Sequence, residues 1–491
     1  MSCSIHQNPF RQECTDTFLA VLIHPRHPIT HLLGCLLLLA SSPLAKGIDR
    51  PDILMIVVDD LNDWIPLLDP GAPARTPHLD QLATRGMTFT RAYCMAPACN
   101  PSRVATLTGL RPSTTGVYGN RSDWKTALPN RPTIMQALRA SDYQIMGAGK
   151  VFHHQLDGAF HDPKAFDAYT PMRKQRYPIT KLNRAPGYGS RNTDWGAWPE
   201  KEEETIDAGT IEACVQALEN RDPKRPLFLV CGLFKPHSPF FAPRAFHPPP
   251  HTLPLPVPTP FSRSEWPAGA WTLQRPSRWF WKGMMDLERE QPGSYRQWVE
   301  SYVACVQFMD HQLGRLMEAL DASPRGKETM IILWSDHGFH LGERHHMEKF
   351  MLWEKTTRIP LIVVLPGTTL GHQRCDTPVG LSTLYPTLLE VAGGPSTIPC
   401  DGKSLIPLLK NPEADWQTPA ITTYLPGNHA IRSPRWRYIR YADGSEELYD
   451  HSVDPEEWVN LAQQAHAHAI KKRLAGWLPQ NEATATPNLK R

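Results

Sequence analysis

The chain has 491 residues, 41% apolar and 21% charged, with a formal net charge of +3. That composition is globular and excludes a disordered chain; so small a charge gives no support to a nucleic-acid partner, yet leaves room for a locally basic pocket that takes an anionic substrate. The length admits several domains of about 100–200 residues, or one large α/β core with a smaller appendage.

The first element is an apolar run from Ile29 to Leu39, preceded by Arg26 and His27 and followed by the small residues Ala40, Ser41, Ser42 and Ala45. It is too short for a bilayer span, which needs about 20 apolar residues. The layout is that of a secretory signal peptide. The expectation is export to the periplasm or the medium, a mature chain starting near Lys46, and no stable membrane insertion. Cys35 lies inside the run and not at its end, which speaks against a lipid anchor.

Asp52 to Val58 is a continuous apolar run ending in Asp59-Asp60, the pattern of a strand buried on both faces in a parallel sheet. Thr133 to Ala140 and Thr205 to Leu218 read as helices. Between them, Thr170 to Glu200 is a long loop with many basic and aromatic residues. A second buried strand, Leu227 to Leu233, ends near Lys235-Pro236-His237. It leads into Pro236 to Pro260, a loop holding ten prolines. Loops this long are usually functional or disordered; both are expected to rim a substrate pocket, with plain surface the alternative. From Trp298, apolar residues recur at Tyr302, Cys305, Met309, Leu313, Leu316 and Leu320, the spacing of an amphipathic helix. A third strand, Met330 to Trp334, ends in Asp336-His337, and a fourth is Leu361 to Leu365. Ligands of open parallel sheets sit beyond the carboxyl ends of the strands, so the polar endings of the first three predict one shared site. After Asp415 the pattern changes: Trp436 to Tyr441 and Glu447 to Asp450 flank Asp443-Gly444, a hairpin signal. The chain thus divides into 1–45 (extension and leader), 46–414 (catalytic) and 415–491 (a smaller α+β subdomain).

Of ten cysteines, Cys3, Cys14 and Cys35 precede the mature chain. The other seven show no close paired spacing, so neither a zinc site nor a dense disulfide framework is indicated. Cys214, Cys231 and Cys305 fit buried core thiols, and Cys375 with Cys400 is a candidate pair. The odd number is resolved if one cysteine, Cys99, is consumed chemically. Asp59, Asp60 and Asp336 converge at one sheet edge. Carboxylates there are costly without a cation, and three of them suit Ca²⁺ or Mg²⁺, with His337 a borderline ligand. On its own the Asp59-Asp60 pair reads equally well as a helix cap and a solvated acid.

The run Cys99-Asn100-Pro101-Ser102-Arg103-Val104-Ala105-Thr106-Leu107-Thr108-Gly109 resembles the sulfatase signature C-x-P-S-R-x-x-x-L-T-G at every fixed position. The Asp336-His337 pair resembles iduronate 2-sulfatases and their bacterial relatives. So do Gly149-Lys150-Val151-Phe152-His153, Lys235-Pro236-His237-Ser238-Pro239-Phe240, and Leu341-Gly342-Glu343 leading to Lys349. The closing segment Leu448-Tyr449-Asp450 to Asn460-Leu461 is similar to the end of the sulfatase C-terminal subdomain. The resemblance spans roughly residues 50–465. It implies an alkaline-phosphatase-like α/β fold: a large mixed, mostly parallel sheet sandwiched by helices, with a smaller C-terminal subdomain holding a short antiparallel sheet.

The resemblance also implies roles. Cys99 would be converted to formylglycine by a maturation enzyme, and its hydrate would attack sulfur to give a covalent sulfo-enzyme. Asp59, Asp60, Cys99, Asp336 and His337 would hold one Ca²⁺, with Mg²⁺ the alternative. Arg103 would steady the hydrate; Lys150 and Lys349 would hold sulfate oxygens. His237 would protonate the leaving alkoxide, as imidazole suits proton transfer near neutrality, and His153 would assist breakdown of the intermediate. His154, His345 and His346 have weaker claims, His346 being the one that could reach the pocket. Met347 stands where relatives often have Trp, which leaves the pocket shape open. The implied substrate is a sulfated carbohydrate. The alternatives are a phosphodiesterase or phosphonate monoester hydrolase of the same superfamily, and a non-catalytic glycan-binding homologue.

Overall fold

The computed structural model describes residues 50–153, 161–183, 189–256, 265–275 and 277–489. The expected leader and its three cysteines lie outside them.

A nine-stranded sheet forms the centre. Its path runs Gln373–Cys375, Met87–Tyr93, Arg358–Val364, Met330–Ser335, Ile53–Asp59, Leu227–Pro236, Gln144–Gly149 and Ala168–Thr170, with Val379–Gly380 also on Met87–Tyr93. Arg358–Val364 is antiparallel to both neighbours, and every other pairing is parallel. The fourth expected strand is therefore the one reversed strand, so its carboxyl end at Val364 points away from the edge where the others finish.

Ile53–Asp59 is buried along its whole length, as its unbroken apolar sequence demands. Alternate side chains enter two cores. Leu54, Ile56 and Val58 meet Ile206–Glu219 and Ser294–Ala322 on one face; Ile53, Met55 and Val57 meet Cys99–Thr108, Ile134–Ala140 and Leu384–Val391 on the other. Each fully buried aliphatic side chain contributes about 1.5–3 kcal/mol. The expected helices start where the sequence offers caps. Thr133 forms a capping box with Gln136, and the Thr205 hydroxyl accepts from the Ala208 amide, each satisfying an amide the first turn leaves open.

The two long loops are joined to one another: Trp195–Ala197 pairs in parallel with Phe240–Ala242. A second sheet is a four-stranded antiparallel meander of Ala420–Thr423, His429–Arg432, Trp436–Arg440 and Glu446–Asp450. Its last hairpin turns at Asp443-Gly444, where Gly444 has φ +84°. Beyond the helix Ala467–Ala475 the chain returns to residues 113–122, with backbone bonds Ala483–Ser113, Thr486–Gly116 and Leu489–Arg121.

Cys375 and Cys400 do not pair. Both are free: Cys375 Sγ lies 3.6 Å from the Pro412 carbonyl, and Cys400 Sγ 3.4 Å from that of Ile398 and 3.7 Å from Arg131.

Candidate active site

Three parallel strand ends and one helix start meet at a single point. Asp59 closes the first strand, and Asp60 follows in a left-handed turn (φ +61°). The Asp60 amide donates to Asp336 Oδ1 (3.2 Å), and its carbonyl accepts from Tyr302 Oη (2.9 Å). Asp336 follows Met330–Ser335. Cys99 is the first residue of a wholly buried helix that ends at Gly109, with φ +70°. Pro101 is tolerated there because first-turn amides have no intrahelical acceptor.

Cations crowd Cys99. Lys349 Nζ lies 3.2 Å from Sγ and 2.7 Å from Asp60 Oδ1. Lys150 Nζ lies 3.8 Å from Sγ and pairs with Asp59. His337 Nε2 is 3.4 Å from Sγ and 3.4 Å from Asp60 Oδ1. Burial alone would raise the Cys99 thiol, but Lys150, Lys349 and His337 outweigh it and hold it well below the ordinary thiol range. Position 99 is therefore built to carry negative charge. His153 also hydrogen-bonds Cys99, and burial lowers its imidazole below the usual histidine value.

His237 reaches the cluster from the loop after Leu227–Pro236. Its Nε2 is 3.9 Å from Asp60 Oδ2, and Nδ1 is 2.6 Å from the Ser238 carbonyl. Its side chain is 23% exposed, against 8% for Lys349 and 2% for Lys150. It is the histidine of this cluster that solvent reaches most readily, as suits transfer of a proton to a departing group.

Arg103 sits differently from its expected place. Its Nε bonds Asp336 Oδ2 (2.8 Å), Nη2 bonds Asp59 Oδ1 (3.1 Å), and Nη1 meets the Lys150 and Val151 carbonyls. With its donors so engaged, Arg103 organises the carboxylates and acts on Cys99 through its charge. The donor set Asp59, Asp60, Asp336 and His337 fits a hard divalent cation. The His337 Nδ1–H is directed to the Gly338 carbonyl (3.0 Å), so Nε2, which faces Asp60 and Cys99, is the nitrogen that would give up its proton to hold a cation. Two ligand groupings share residue 99: Asp60, Cys99 and His337, and Asp59, Cys99 and Asp336. A third, Glu354, His451 and Glu457, is an ion-pair network, because Arg437 lies between its two glutamates.

Several supporting residues have roles that the sequence alone does not reveal. Buried Asp207 accepts from the Phe234 and Lys235 amides (2.7 and 2.9 Å), fixing the backbone that leads to His237. Burial raises its carboxyl to about 6 despite those bonds. Ser102 Oγ donates to the Asp336 carbonyl (2.6 Å), and Asn100 Nδ2 to those of Gly119 and Ser122 (3.0 Å each).

Lys349 rides on an unusual arm. Gly342, Arg344, His345, Glu348 and Phe350 all have positive φ. Non-glycine residues adopt that region at a cost of about 1–3 kcal/mol each and only when the surroundings impose it. The C-terminal sheet does so here. Arg344 bonds Tyr449 Oη (3.1 Å) and the Glu457 carbonyl, Trp353 Nε1 bonds Glu447 (2.8 Å), and Arg437 bonds the Leu352 carbonyl (3.0 Å). His346 does not enter the pocket; its Nε2 is 3.0 Å from the Lys349 carbonyl. His345 stacks on Trp281, and His154 lies outside the described residues. In the first basic loop, Arg173 and Arg176 pair with Glu212 and Glu204, so these two charges are answered within the protein.

Residues 51–394 match the Sulfatase family profile, and residues 342–484 match N-sulphoglucosamine sulphohydrolase, C-terminal. The chain belongs to the sulfatase family. It is 36% identical to a sulfatase of Formosa agariphila over 89% of this chain and 88% of that one. It is 29% identical to human iduronate 2-sulfatase, over 73% and 72% of the two chains. The Δ4,5-hexuronate-2-O-sulfatase of Bacteroides thetaiotaomicron is 26% identical over 85% and 86%. Among solved structures, one bound to its substrate D-glucosamine-2-N,6-O-disulfate superposes with a TM-score of 0.66 at 22% identity, covering 87% of this chain and 96% of that one. The phosphonate monoester hydrolase of Agrobacterium radiobacter gives 0.70 at 21%, covering 87% and 94%. These two likenesses establish the alkaline-phosphatase-like fold. The sulfatase is a sulfuric ester hydrolase.

Proposed function

We propose that this sulfatase hydrolyses sulfate esters of a carbohydrate, using residue 99 as formylglycine and one Ca²⁺ or Mg²⁺ held by Asp59, Asp60, Asp336, His337 and residue 99. The observation that carries the reading is the meeting of Lys349, Lys150 and His337 within 3.2–3.8 Å of Cys99 Sγ. Sγ marks the place where the oxygens of the aldehyde hydrate would lie. When present, the hydrated aldehyde supplies the nucleophile and the cation draws charge from the sulfuryl oxygens.

This chain's own residues do the rest. A sulfate ester is an anion, so an anionic nucleophile approaches it only where positive charge is fixed in advance. Lys150 and Lys349 hold the sulfuryl oxygens and orient sulfur over position 99. Arg103 keeps Asp59 and Asp336 in register. His237, on the solvent side, gives its proton to the leaving alkoxide. His153, neutral and bonded to position 99, takes a proton there as sulfate departs.

The carbohydrate assignment is supported by the iduronate and hexuronate sulfatases among the relatives. Maturation of Cys99 by a formylglycine-generating enzyme, export to the periplasm or medium, and the division at 46–414 and 415–491 belong to the same reading. Among the described residues no helix is long and apolar enough to cross a membrane. The test is a desulfation screen against defined sulfated sugars with Cys99→Ala as control. Turnover in the variant should fall by on the order of 10⁴–10⁶-fold. Faster turnover of an aryl phosphodiester than of any sulfate ester would contradict the reading.

A further inference from the structure

Of the lysines buried near the site, Lys150 and Lys349 pair with Asp59 and Asp60. Lys235 is buried as well, at 5% exposed, and among the described residues it forms no ion pair. A buried ammonium is costly unless other groups answer it, and here backbone carbonyls do. Its Nζ donates to the His237 carbonyl (3.2 Å) and to the Pro239 carbonyl. These are the carbonyls on either side of Ser238. The Ser238 carbonyl is itself the partner of His237 Nδ1 (2.6 Å). A carbonyl only accepts, so Nδ1 carries a hydrogen, and Nε2, on the side of Asp60 (3.9 Å), is the nitrogen left to pass a proton on.

The segment has few amides of its own with which to hold this shape. Pro236 and Pro239 have none, and the His237 amide is spent on the Phe234 carbonyl (2.9 Å). Asp207 holds only the backbone before it, at the Phe234 and Lys235 amides. The Phe234 ring packs against the imidazole, centroids 4.8 Å apart, and lies 5.2 Å from Lys235 Nζ. One ammonium thus meets both the ring that supports His237 and the backbone that bears it. We propose that Lys235 is a positioning residue for proton transfer by His237: it pins the carbonyls flanking Ser238, so that the Ser238 carbonyl holds Nδ1 and Nε2 is aimed at the leaving sugar oxygen. This rests on the sulfatase reading and deepens its acid step. As the S–O bond to the sugar breaks, its electron pair stays on the sugar oxygen. That oxygen takes the Nε2 proton, and His237 is left neutral with its Nδ1–H on Ser238. A sugar alkoxide departs poorly without that proton, whereas a nitrophenolate is stable as an anion. Lys235 should therefore matter for the first leaving group and not for the second.

The test is steady-state turnover of two sulfate esters by the fully matured chain: the most active sugar sulfate of the screen, and 4-nitrophenyl sulfate. The proteins are the parent, Lys235→Met, Lys235→Gln and His237→Ala. A displacement of about 1 Å in a reacting group costs about 10²-fold, so Lys235→Met should lower kcat for the sugar sulfate by about that factor with KM little changed. The nitrophenyl ester should slow by less than about threefold, since it draws little on the acid. His237→Ala should show the same split more strongly. Lys235→Gln keeps one donor group and should fall between the parent and Lys235→Met; it is read alone where Lys235→Met does not fold. Equal loss on both esters in the Lys235 variants, or no loss, overturns the proposal, while a split in His237→Ala keeps the acid step. No split in His237→Ala overturns the acid step and the proposal with it. Absence of any sulfate-ester turnover in the matured parent overturns the sulfatase reading instead. A readout free of turnover decides the placement of the ring in every case. It is the His237 Nδ1–H in protein carrying isotope-labelled histidine, identified by its loss in His237→Ala. Its exchange with water should quicken about tenfold in Lys235→Met, as loss of one hydrogen bond's stabilisation allows. An unchanged rate overturns the proposal.

Discussion

Lys150 and Lys349 converge on the same sulfur from two different kinds of support. Lys150 directly follows Gln144–Gly149, a strand inside the central sheet. Lys349 sits on an arm of left-handed residues fastened by a buried network: Arg437 on Glu354 and Glu457, Tyr93 on Glu354 (2.9 Å), and His451 on Glu457 (3.0 Å). One half of the pocket is thus positioned by apolar packing, and the other by charges paired away from water. Removing one member of such a pair leaves the others buried and unanswered, so the second half should fail as a unit.

The sharpest way to break the comparison is to remove each lysine. Lys150→Ala and Lys349→Ala should each lower kcat by about 10²–10³, as loss of one preorganised donor does, in steady-state assays on the most active sulfate ester of the screen. Next is Arg437→Met, which leaves Glu354 and Glu457 facing each other. It should cost about 3–5 kcal/mol in urea denaturation and lower turnover although Arg437 touches no reacting atom. Tyr302→Phe, in the packed half, removes one hydroxyl between the Asp60 carbonyl and the Asn62 amide. It should cost only about 1–3 kcal/mol by the same assay.

Acid should separate the halves more gently. Burial alone would raise Glu354 and Glu457, but Arg437 and His451 together outweigh it, with Arg432 and Arg358 adding to them at Glu354. Glu354 lies well below the ordinary glutamate value of 4.5, and Glu457 below it. An acid whose folded value is depressed adds stability above its unfolded value, and that stability is lost as pH falls through the folded one. Amide exchange in Trp436–Arg440 should therefore speed up below about pH 4.5, corrected for intrinsic rates, before that in Ile53–Asp59 does. Equal acceleration in both strands would contradict the distinction.

The packed half was the legible half. Asp59, Asp60 and Asp336 stand at the ends of contiguous apolar patterns, where burial and strand polarity place them together, and Cys99 was legible through the resemblance of its run to the sulfatase signature. The fastening of Lys349 was not legible. Arg437 and Glu447 lie on alternating strands where a charged residue ordinarily faces water, and Asp207 reads as a surface acid in a first helical turn. Hydrophobic pattern reports burial but not strand direction, so Leu361 to Leu365 gave no hint that its strand is reversed. It reports no partners either, so Arg173 and Arg176 read as available to a substrate although Glu212 and Glu204 hold them.

The most direct measurement is sulfate-ester turnover against the fraction of residue 99 present as an aldehyde, by mass analysis of the peptide carrying it in the same samples. Turnover rising in proportion to that fraction, and vanishing in Cys99→Ala, is the predicted result. Full turnover from protein whose residue 99 is wholly an unmodified thiol would contradict the account.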